Sequence, residues 1–305
     1  MAFSASEAAF EGFRIIRREP GTIAVWAVAL IIFSAVLMTL LQPSLRDVMA
    51  VLPTPGSAPA QMNPTQAIAM LGSVGRLYLV MLPIYLVFMS IFTGAIYRAV
   101  LRPEEKGFAR LMLGGDELRL LGFLVLFVLF MFGVSIVIGI AGVLVMLVVT
   151  LALQKSAAAV GLSLALFYLL YLIAYIWVLV RMSLAAPMTF VQQRLCFFES
   201  FKLTKGRFWP LFGCYVLAVI FVILILIVDG AVTSVVAIGA SGGSLARAAG
   251  GLFRPDYSSS AALFTPLFLL RLVIGGAFGA VMSAVMIAAP AAAYREISAS
   301  APAES

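Results

Sequence analysis

The chain is 305 residues long; 64% of its residues are hydrophobic and only 11% are charged. A soluble domain of this length would have about a quarter of charged residues, so the composition excludes a soluble globular protein and predicts an integral membrane protein. The chain contains no histidine. Because histidine is the commonest general base and transition-metal ligand, we expect no catalytic residues, no metal site and no cofactor.

The N-terminal stretch MAFSASEAAFEGFRIIRREP is amphipathic, and it lacks a small-residue cleavage site after an apolar core. It is therefore not typical of a cleaved signal peptide. We expect the first membrane span itself to direct insertion.

Six segments are apolar and long enough to cross about 30 Å of hydrocarbon, which takes about 20 helical residues. They run approximately over residues 21–41, 77–101, 120–141, 160–188, 210–232 and 263–289. The sequence therefore predicts an all-α integral membrane protein with one polytopic domain over residues 1–305 and no soluble domain. The predicted connections are an outer loop rich in Pro and Ala (42–76), inner loops (102–119 and 189–209), a short outer turn around Lys155 and an outer loop rich in Gly and Ser (239–262).

The third apolar segment, LLGFLVLFVLFMFGVSIVIGIAGVLVMLVVTLAL, is too long for one upright span, because it would extend about 50 Å as a helix. It is too short for two crossings and a turn. We interpret it as one tilted span that leaves the bilayer near residues 139–142 and continues as an outer-surface helix. A kink at GIAG is the alternative.

Lysine and arginine concentrate on one side of the predicted membrane, and the positive-inside rule places that side in the cytoplasm. Both termini are therefore expected to be cytoplasmic, in a bacterial inner membrane. The predicted inner cations are Arg14, Arg17, Arg18, Arg98, Arg102, Lys106, Arg110, Arg119, Arg194, Lys202, Lys205, Arg207 and Arg295. The predicted outer cations are Arg46, Arg76, Lys155, Arg247 and Arg254.

Three basic stretches led by phenylalanine precede the odd-numbered spans: FEGFRIIRREPGTIAVWA, KGFARLMLGGDELRLLGF and FESFKLTKGRFWPLFG. The even-numbered spans end in FTGAIYRAVLR, AAPMTFVQQR and AAPAAAYRE, which also share features. The pattern predicts three consecutive units, each an interfacial segment followed by a helical hairpin. The alternative is that any cytoplasmic flank of a span is basic and aromatic.

The segment SFKLTKGRFWPLFG, residues 200–213, mixes cations with aromatic residues at the predicted inner membrane surface. On a helical wheel Phe197, Phe198, Phe201 and Phe208 fall on one side, which predicts an amphipathic helix in the headgroup plane. Its basic face is too small for nucleic acid, and no glycine-rich run precedes Lys205 as a phosphate loop would require. Anionic lipid headgroups are the expected partner; the alternative is an interfacial anchor without a ligand.

Residues 180–213, VRMSLAAPMTFVQQRLCFFESFKLTKGRFWPLFG, resemble a broad bacterial superfamily of six-span proteins. It includes the membrane domain attached to some glycerophosphodiester phosphodiesterases and the uncharacterised UPF0259 (YciC-like) family. The resemblance implies a polytopic membrane domain without a known reaction of its own, and no catalytic residue is carried over. The matching positions are Arg181, Pro187, Ser200, Leu203, Thr204, Lys205, Gly206, Arg207, Phe208 and Trp209.

Arg181, Asp229 and Arg271 lie within apolar runs, where a charge costs at least about 3 kcal/mol and marks a site. Asp229 and Arg271 fall at similar depth in the outer half, so we expect an intramembrane ion pair. Arg181 is about 20 Å away by helix rise. It is expected to snorkel to inner-leaflet phosphates, to cap carbonyls freed by Pro187, or to meet Glu199.

We expect Arg181, Lys202, Lys205 and Arg207, with Trp209 at the interface, to form an anionic-lipid site. The alternative is that Arg181 is a structural anchor.

Small residues recur at four-residue intervals in GGAFGAVMSAVM of the sixth span. Gly275, Gly279 and Ser283 form a stripe that predicts close helix packing, with Gly276 and Ala280 widening it. Internal packing is expected, and a protein subunit or a second copy of the chain is the alternative partner. Cys196 and Cys214 are expected to be reduced packing residues.

The leading functional expectation is a non-enzymatic inner-membrane protein: a structural or accessory factor in envelope or lipid homeostasis, or a subunit of a larger assembly. The alternative is a transporter or channel for a lipid or small amphiphile, which the repeated hairpins and buried cations favour. The small number of polar residues in the spans speaks against a carrier of polar solutes.

Overall fold

The computed structural model describes residues 3–51, 63–105, 107–152, 157–244 and 257–300. Within these ranges the chain forms helices and no strand. In chain order the elements are α1 (Ala5–Arg18), α2 (Pro20–Val51), α3 (Pro64–Leu101), a 3-10 turn (Phe108–Arg110), α4 (Gly115–Ala152), α5 (Ala157–Met182), α6 (Ala185–Gln192), α7 (Glu199–Leu203), α8 (Phe208–Ala240), α9 (Ser260–Leu263) and α10 (Pro266–Ser300).

Six helical stretches are long and apolar enough to cross a membrane, and each overlaps one predicted span. They belong to α2, α3, α4, α5 together with α6, α8 and α10. The protein is therefore an all-α, multi-pass membrane protein, as the composition predicts.

The predicted outer loop 42–76 is largely helical where the structure describes it. α2 continues through Pro43 to Val51, and α3 begins at Pro64. The prediction of an irregular loop is wrong here, because proline at the first position of a helix has a φ already suited to the helix and lacks only an N–H that would be unpaired anyway. The predicted loop cations Lys106, Lys155, Arg247 and Arg254 lie outside the described residues.

The third span is one uninterrupted helix, α4, which runs through residues 139–142. The ring of Phe167 on α5 lies against Gly142, where a Cβ would come within 2.2 Å of it. A helix lying flat on the outer surface would leave α5 at this point. The contact therefore favours a continuous α4–α5 hairpin over the expected surface helix.

The fourth span is broken, although the sequence predicts one continuous segment over 160–188. α5 ends at Met182, a turn follows, and α6 begins at Ala185. The reason is Pro187, which lies in the first turn of α6. In a continuous helix Pro187 would lack an N–H for the carbonyl of Ser183 and its ring would clash there, and the turn removes both problems.

The membrane-crossing helices form a closed ring in which α2, α3, α4, α5, α8 and α10 each contact the next and α10 contacts α2. α10 also contacts α1 and α3, so most of the packing is organised around it. Most of the buried residues of α10 are alanines, including Ala280, Ala284 and Ala288. Fewer residues join α5 to α8 than any other neighbours in the ring, so this seam is where the bundle is least tightly closed.

α1, the first helix of the chain, packs across α10. Gly12 lies directly on the backbone of α10, because a Cβ there would be 2.5 Å from the Cα of Val285. The Ser4 N–H donates to the Glu296 carboxylate over 3.1 Å. The predicted interfacial segment is thus a helix with one buried face, whose residues Ala8, Ala9 and Ile15 belong to the core.

Each interfacial segment packs against the hairpin that precedes it around the ring. The 3-10 turn contacts α2 and α3, α7 contacts α5 and α6, and α1 contacts α8 and α10. An arginine near the end of each hairpin pairs with a glutamate that lies in that segment or just before it. The pairs are Arg98 with Glu105 at 3.6 Å, Arg194 with Glu199 at 3.4 Å, and Arg295 with Glu11 at 3.3 Å.

The three pairs do not occupy corresponding positions of the predicted units, because Arg295 aligns with Gln192 and not with Arg194. The segments themselves differ in conformation, since they are a 14-residue helix, a three-residue 3-10 turn and a five-residue helix. The repeat of three units therefore remains a prediction.

Candidate functional site

Arg181 lies at the end of α5 and is held by the segment that leads into α8. Its Nη1 donates to the Thr204 hydroxyl over 3.2 Å, and its backbone carbonyl accepts from the Ser200 hydroxyl over 2.7 Å. The guanidinium also lies over the rings of Trp177 and Phe201, at 5.7 and 5.5 Å from their centroids. Three positions that carry the family resemblance, Arg181, Ser200 and Thr204, are therefore in direct contact.

Of the three fates predicted for Arg181, the contact with Glu199 is wrong. Glu199 pairs with Arg194 instead. Arg181 has no carboxylate partner among the described residues, and its buried Nε makes no hydrogen bond with any of them. Within the described chain, the guanidinium of this arginine thus contacts hydroxyl and aromatic groups, and no carboxylate neutralises its charge.

The segment 197–208 is a short helix and a turn, whereas the sequence predicts one amphipathic helix. α7 ends at Leu203, and Gly206 then adopts φ +77°. That left-handed conformation suits glycine, and it lets the chain turn into α8 at Phe208. The predicted single face of phenylalanines is consequently divided: Phe197 and Phe198 contact Phe130 of α4, whereas Phe208 stacks on Phe212.

Three cations and a tryptophan lie within five residues of Thr204, which contacts Arg181. Lys202 and Lys205 are exposed and Arg207 is half-buried, and within the described chain none of the three forms an ion pair. Trp209 is 74% exposed and packs by its edge on Phe208 and Phe212. We call these residues, together with Arg181, the cationic rim.

A cleft of about 520 Å³ opens in the seam between α5 and α8, at the end of α5 and the start of α8 that also carry the cationic rim. Its walls come from four helices, and its polar groups are the hydroxyls of Ser183 and Tyr215. The lining residues are Phe127, Ile176, Leu179, Val180, Ser183, Phe212, Tyr215, Val216, Val219, Ile220, Met286 and Pro290. The volume falls within the range of about 300 to 1,000 Å³ that is usual for small-molecule sites.

The structure brings Asp229 and Arg271 together between α8 and α10. Arg271 Nη1 lies 3.3 Å from Asp229 Oδ2 and 3.2 Å from the Thr233 hydroxyl. Asp229 is 8% exposed, and its Oδ1 makes no hydrogen bond within the described residues. The pair links two membrane-crossing helices, away from the cationic rim.

The close-packed stripe of α10 lies one position away from the one predicted. Gly275 faces open space in the described structure, whereas a Cβ on Gly276 would be 2.3 Å from Ile31 of α2. Gly279 meets α2 only at van der Waals distance, and Ser283 is half-buried. The tight contact therefore follows Gly276 and Ala280, which the sequence assigns only to the edge of the stripe.

Sequence reasoning missed a buried cluster of charges at the ends of α3 and α4. Arg98 is 3% exposed, forms a short contact with the Glu117 carboxylate, and donates to the Arg110 carbonyl over 3.1 Å. Arg110 is equally buried and binds Glu19 through two nitrogens, at 2.6 and 3.2 Å. The sequence does not indicate which carboxylates pair with these arginines, and the arginines were interpreted only as markers of the cytoplasmic side.

The backbone at this cluster is unusual, because Ala109 and Arg110 adopt φ of 46° and 60°. Such conformations cost about 1 kcal/mol or more in residues other than glycine. The Trp26 indole N–H donates to the Ala109 carbonyl over 2.9 Å, and Arg110 reaches the Pro103 and Glu105 carbonyls. These bonds hold the strained turn in place.

Glu19 and Cys196, which lie outside the spans, have shifted pKa values. The hydrogen bond from Arg110 holds the pKa of the Glu19 carboxyl below its ordinary value. Burial raises the pKa of the Cys196 thiol, which donates to the Gln192 side-chain carbonyl. Both cysteines are buried and free, so Cys196 is a packing residue in its protonated form.

Comparison of the chain with protein-family models, curated proteins and solved structures gives no match. The resemblance of residues 180–213 to the six-span superfamily therefore stays an expectation, and functional reasoning starts from the cationic rim and the cleft.

Proposed function

We propose that this chain is a non-enzymatic protein of a bacterial inner membrane, with both termini in the cytoplasm, that binds anionic lipid headgroups at the cationic rim. In this role it serves as a structural or accessory factor in envelope or lipid homeostasis, or as a subunit of a larger membrane assembly. The observation that carries the proposal is a group of cations, Arg181, Lys202, Lys205 and Arg207, without carboxylate partners in the described chain.

Three arginines at the end of α3 and in the loop that follows it differ from the cationic rim in this respect. Arg98, Arg102 and Arg110 are neutralised by glutamate or aspartate at distances of 3.6 Å or less. Arg207 also stands at the N-terminus of α8, where the helix dipole is positive and favours an anion. A lipid phosphate would satisfy both requirements, and each cation near an anionic membrane surface gains about 1 kcal/mol.

Lipid binding by the purified protein tests the proposal. Replacing both Lys202 and Lys205 by Gln removes two exposed charges with little cost to packing, so affinity for phosphatidylglycerol should fall by about 2 kcal/mol, or about thirtyfold. Arg194→Gln is the matched control, because Arg194 is an exposed cation nearby that already has Glu199 as its partner. Native mass spectrometry of the full chain titrated with phosphatidylglycerol or phosphatidylcholine gives both affinities.

Equal affinity of the Lys202→Gln, Lys205→Gln double variant and the native protein for phosphatidylglycerol would refute headgroup binding at the rim. A polypeptide that co-purifies in stoichiometric amount would favour the assembly role over the accessory one.

A second candidate function is the movement of a lipid or small amphiphile. The observation that favours it is the break between α5 and α6, which lies at Ser183 in the wall of the cleft, since interrupted helices often mark transport sites. Reconstitution into liposomes with a fluorescent phosphatidylglycerol tests this role. Transfer between leaflets at the rate of protein-free liposomes would exclude it.

A further inference from the structure

The cleft between α5 and α8 has no free hydrogen-bond donor to offer a polar solute. The Tyr215 hydroxyl donates to the Ser183 oxygen over 2.7 Å, and the Ser183 hydroxyl donates to the Val180 carbonyl over 2.7 Å. Both hydroxyl protons are thereby used within the wall. The remaining lining groups are aliphatic, aromatic, thioether and prolyl side chains, so the cleft suits a hydrocarbon occupant.

The position of the cleft defines what lies at its end. Val180 and Ser183 line the cleft near the end of α5, at the level of Arg181, whose side chain lies on another face of the helix over Trp177 and Phe201. Phe212 lines the cleft near the start of α8. Phe212 stacks on Phe208 at 5.9 Å, and Trp209 packs against the same ring. Trp209 of the cationic rim thus contacts the lining of the cleft through Phe212.

We infer that the cleft holds one acyl chain of an anionic phospholipid whose headgroup lies on the cationic rim; this inference rests on the proposed function. A neutral lipid tail would find the same apolar walls but no reason to stay, since bulk lipid offers an equivalent environment. The adjacent unpaired cations supply the charge complementarity that retains one class of lipid. The cations therefore select the headgroup by its charge, and the cleft holds the acyl chain by its shape.

The loose seam explains how such a chain enters. Few residues join α5 to α8, and the exposed side chains beside the lining residues on α8 are aliphatic, such as Leu224 and Ile227. A chain can therefore enter sideways from the bilayer without breaking an ion pair between these two helices in the described structure.

A cleft-filling substitution tests the inference. Val219→Phe adds a ring in the cleft, whereas Val228→Phe adds the same ring on α8 outside the lining set. Both positions are substantially exposed in the bundle, so neither change forces a ring into the packed core. Native mass spectrometry with phosphatidylglycerol should show loss of the bound-lipid peak for Val219→Phe and an unchanged peak for Val228→Phe, and thermal unfolding of each variant confirms that it is folded.

The outcomes separate the two proposals. If the Lys202→Gln, Lys205→Gln double variant loses phosphatidylglycerol while a folded Val219→Phe retains it, the acyl-chain inference is wrong and headgroup binding stands. If the double variant keeps phosphatidylglycerol, the proposed function is wrong, and the anionic assignment of the cleft falls with it. Loss in both variants, with retention in Val228→Phe, supports both.

Discussion

Removing the charge of Glu117 should destabilise the protein more than removing any exposed charge. Arg98 and Glu117 are both nearly fully buried and in contact. Glu117→Gln leaves the Arg98 guanidinium with only the partly exposed Glu105, 3.6 Å away, as an anionic partner. An uncompensated buried charge costs about 3 to 5 kcal/mol, and we expect a loss of free energy of unfolding of this size.

The assay is equilibrium unfolding in mixed micelles of a non-ionic detergent and SDS, followed by tryptophan fluorescence. Trp26 is fully buried and hydrogen-bonded within the same cluster. Its emission reports local opening when all variants are made in a background with Trp177 and Trp209 replaced by Phe. Glu199→Gln is the matched control, because the Arg194–Glu199 pair is exposed and such pairs contribute about 0 to 1 kcal/mol.

The combined change Arg98→Met and Glu117→Leu should recover much of the stability, since apolar residues can replace a buried ion pair. Equal, small losses for Glu117→Gln and Glu199→Gln would refute the account of the cluster.

Three further outcomes follow from the packing and the shifted acidities. Gly276→Val should lower the free energy of unfolding by about 1 to 3 kcal/mol, because its side chain would overlap α2. Gly275→Val should not have this effect, because Gly275 faces open space. Equal effects of the two changes in thermal unfolding would contradict the packing assigned to α10. Arg110 lowers the pKa of Glu19. The stabilising contribution of the Glu19 carboxylate is therefore present above its ordinary pKa of 4.5 and is lost as the pH falls through the lowered pKa. Glu19→Gln should remove this part of the acid dependence of unfolding, and an unchanged dependence would contradict the role of Arg110. Cys196 is buried and its pKa is raised, so maleimide at about pH 7 should label the thiol only after unfolding in SDS, and rapid labelling of the folded chain would argue against its burial.

Hydrophobicity made the membrane architecture predictable, because six apolar stretches can hardly be satisfied otherwise than by six spanning helices. Helix ends were less predictable. Pro64 starts a helix where the composition favours a loop, and Pro187 divides a span that is continuously apolar. In both cases the proline lies in the first turn of a helix and thereby determines where that helix begins. The apolar content of the sequence does not indicate this position.

The candidate site was predictable in its charged residues and unpredictable in its geometry. The membrane depth predicted from the sequence suggested Asp229 and Arg271 as partners, and their side chains lie in contact. It could not show that Arg181 meets Thr204 rather than Glu199, because that choice depends on the turn at Gly206. The cleft between α5 and α8 was equally hidden, since it arises from helices that are distant in sequence.

Photo-crosslinking with a phosphatidylglycerol that carries a diazirine in one acyl chain tests the lipid site most directly. Mass spectrometry of peptides from the reconstituted full chain identifies the residues that receive the label. We predict adducts concentrated on residues that line the cleft, Val216, Val219 and Ile220 of α8 and Ile176, Leu179 and Val180 of α5. These adducts should be reduced when Lys202 and Lys205 are replaced by Gln. Adducts spread evenly over the lipid-facing surfaces of α4 and α5, and unaffected by that substitution, would contradict the account.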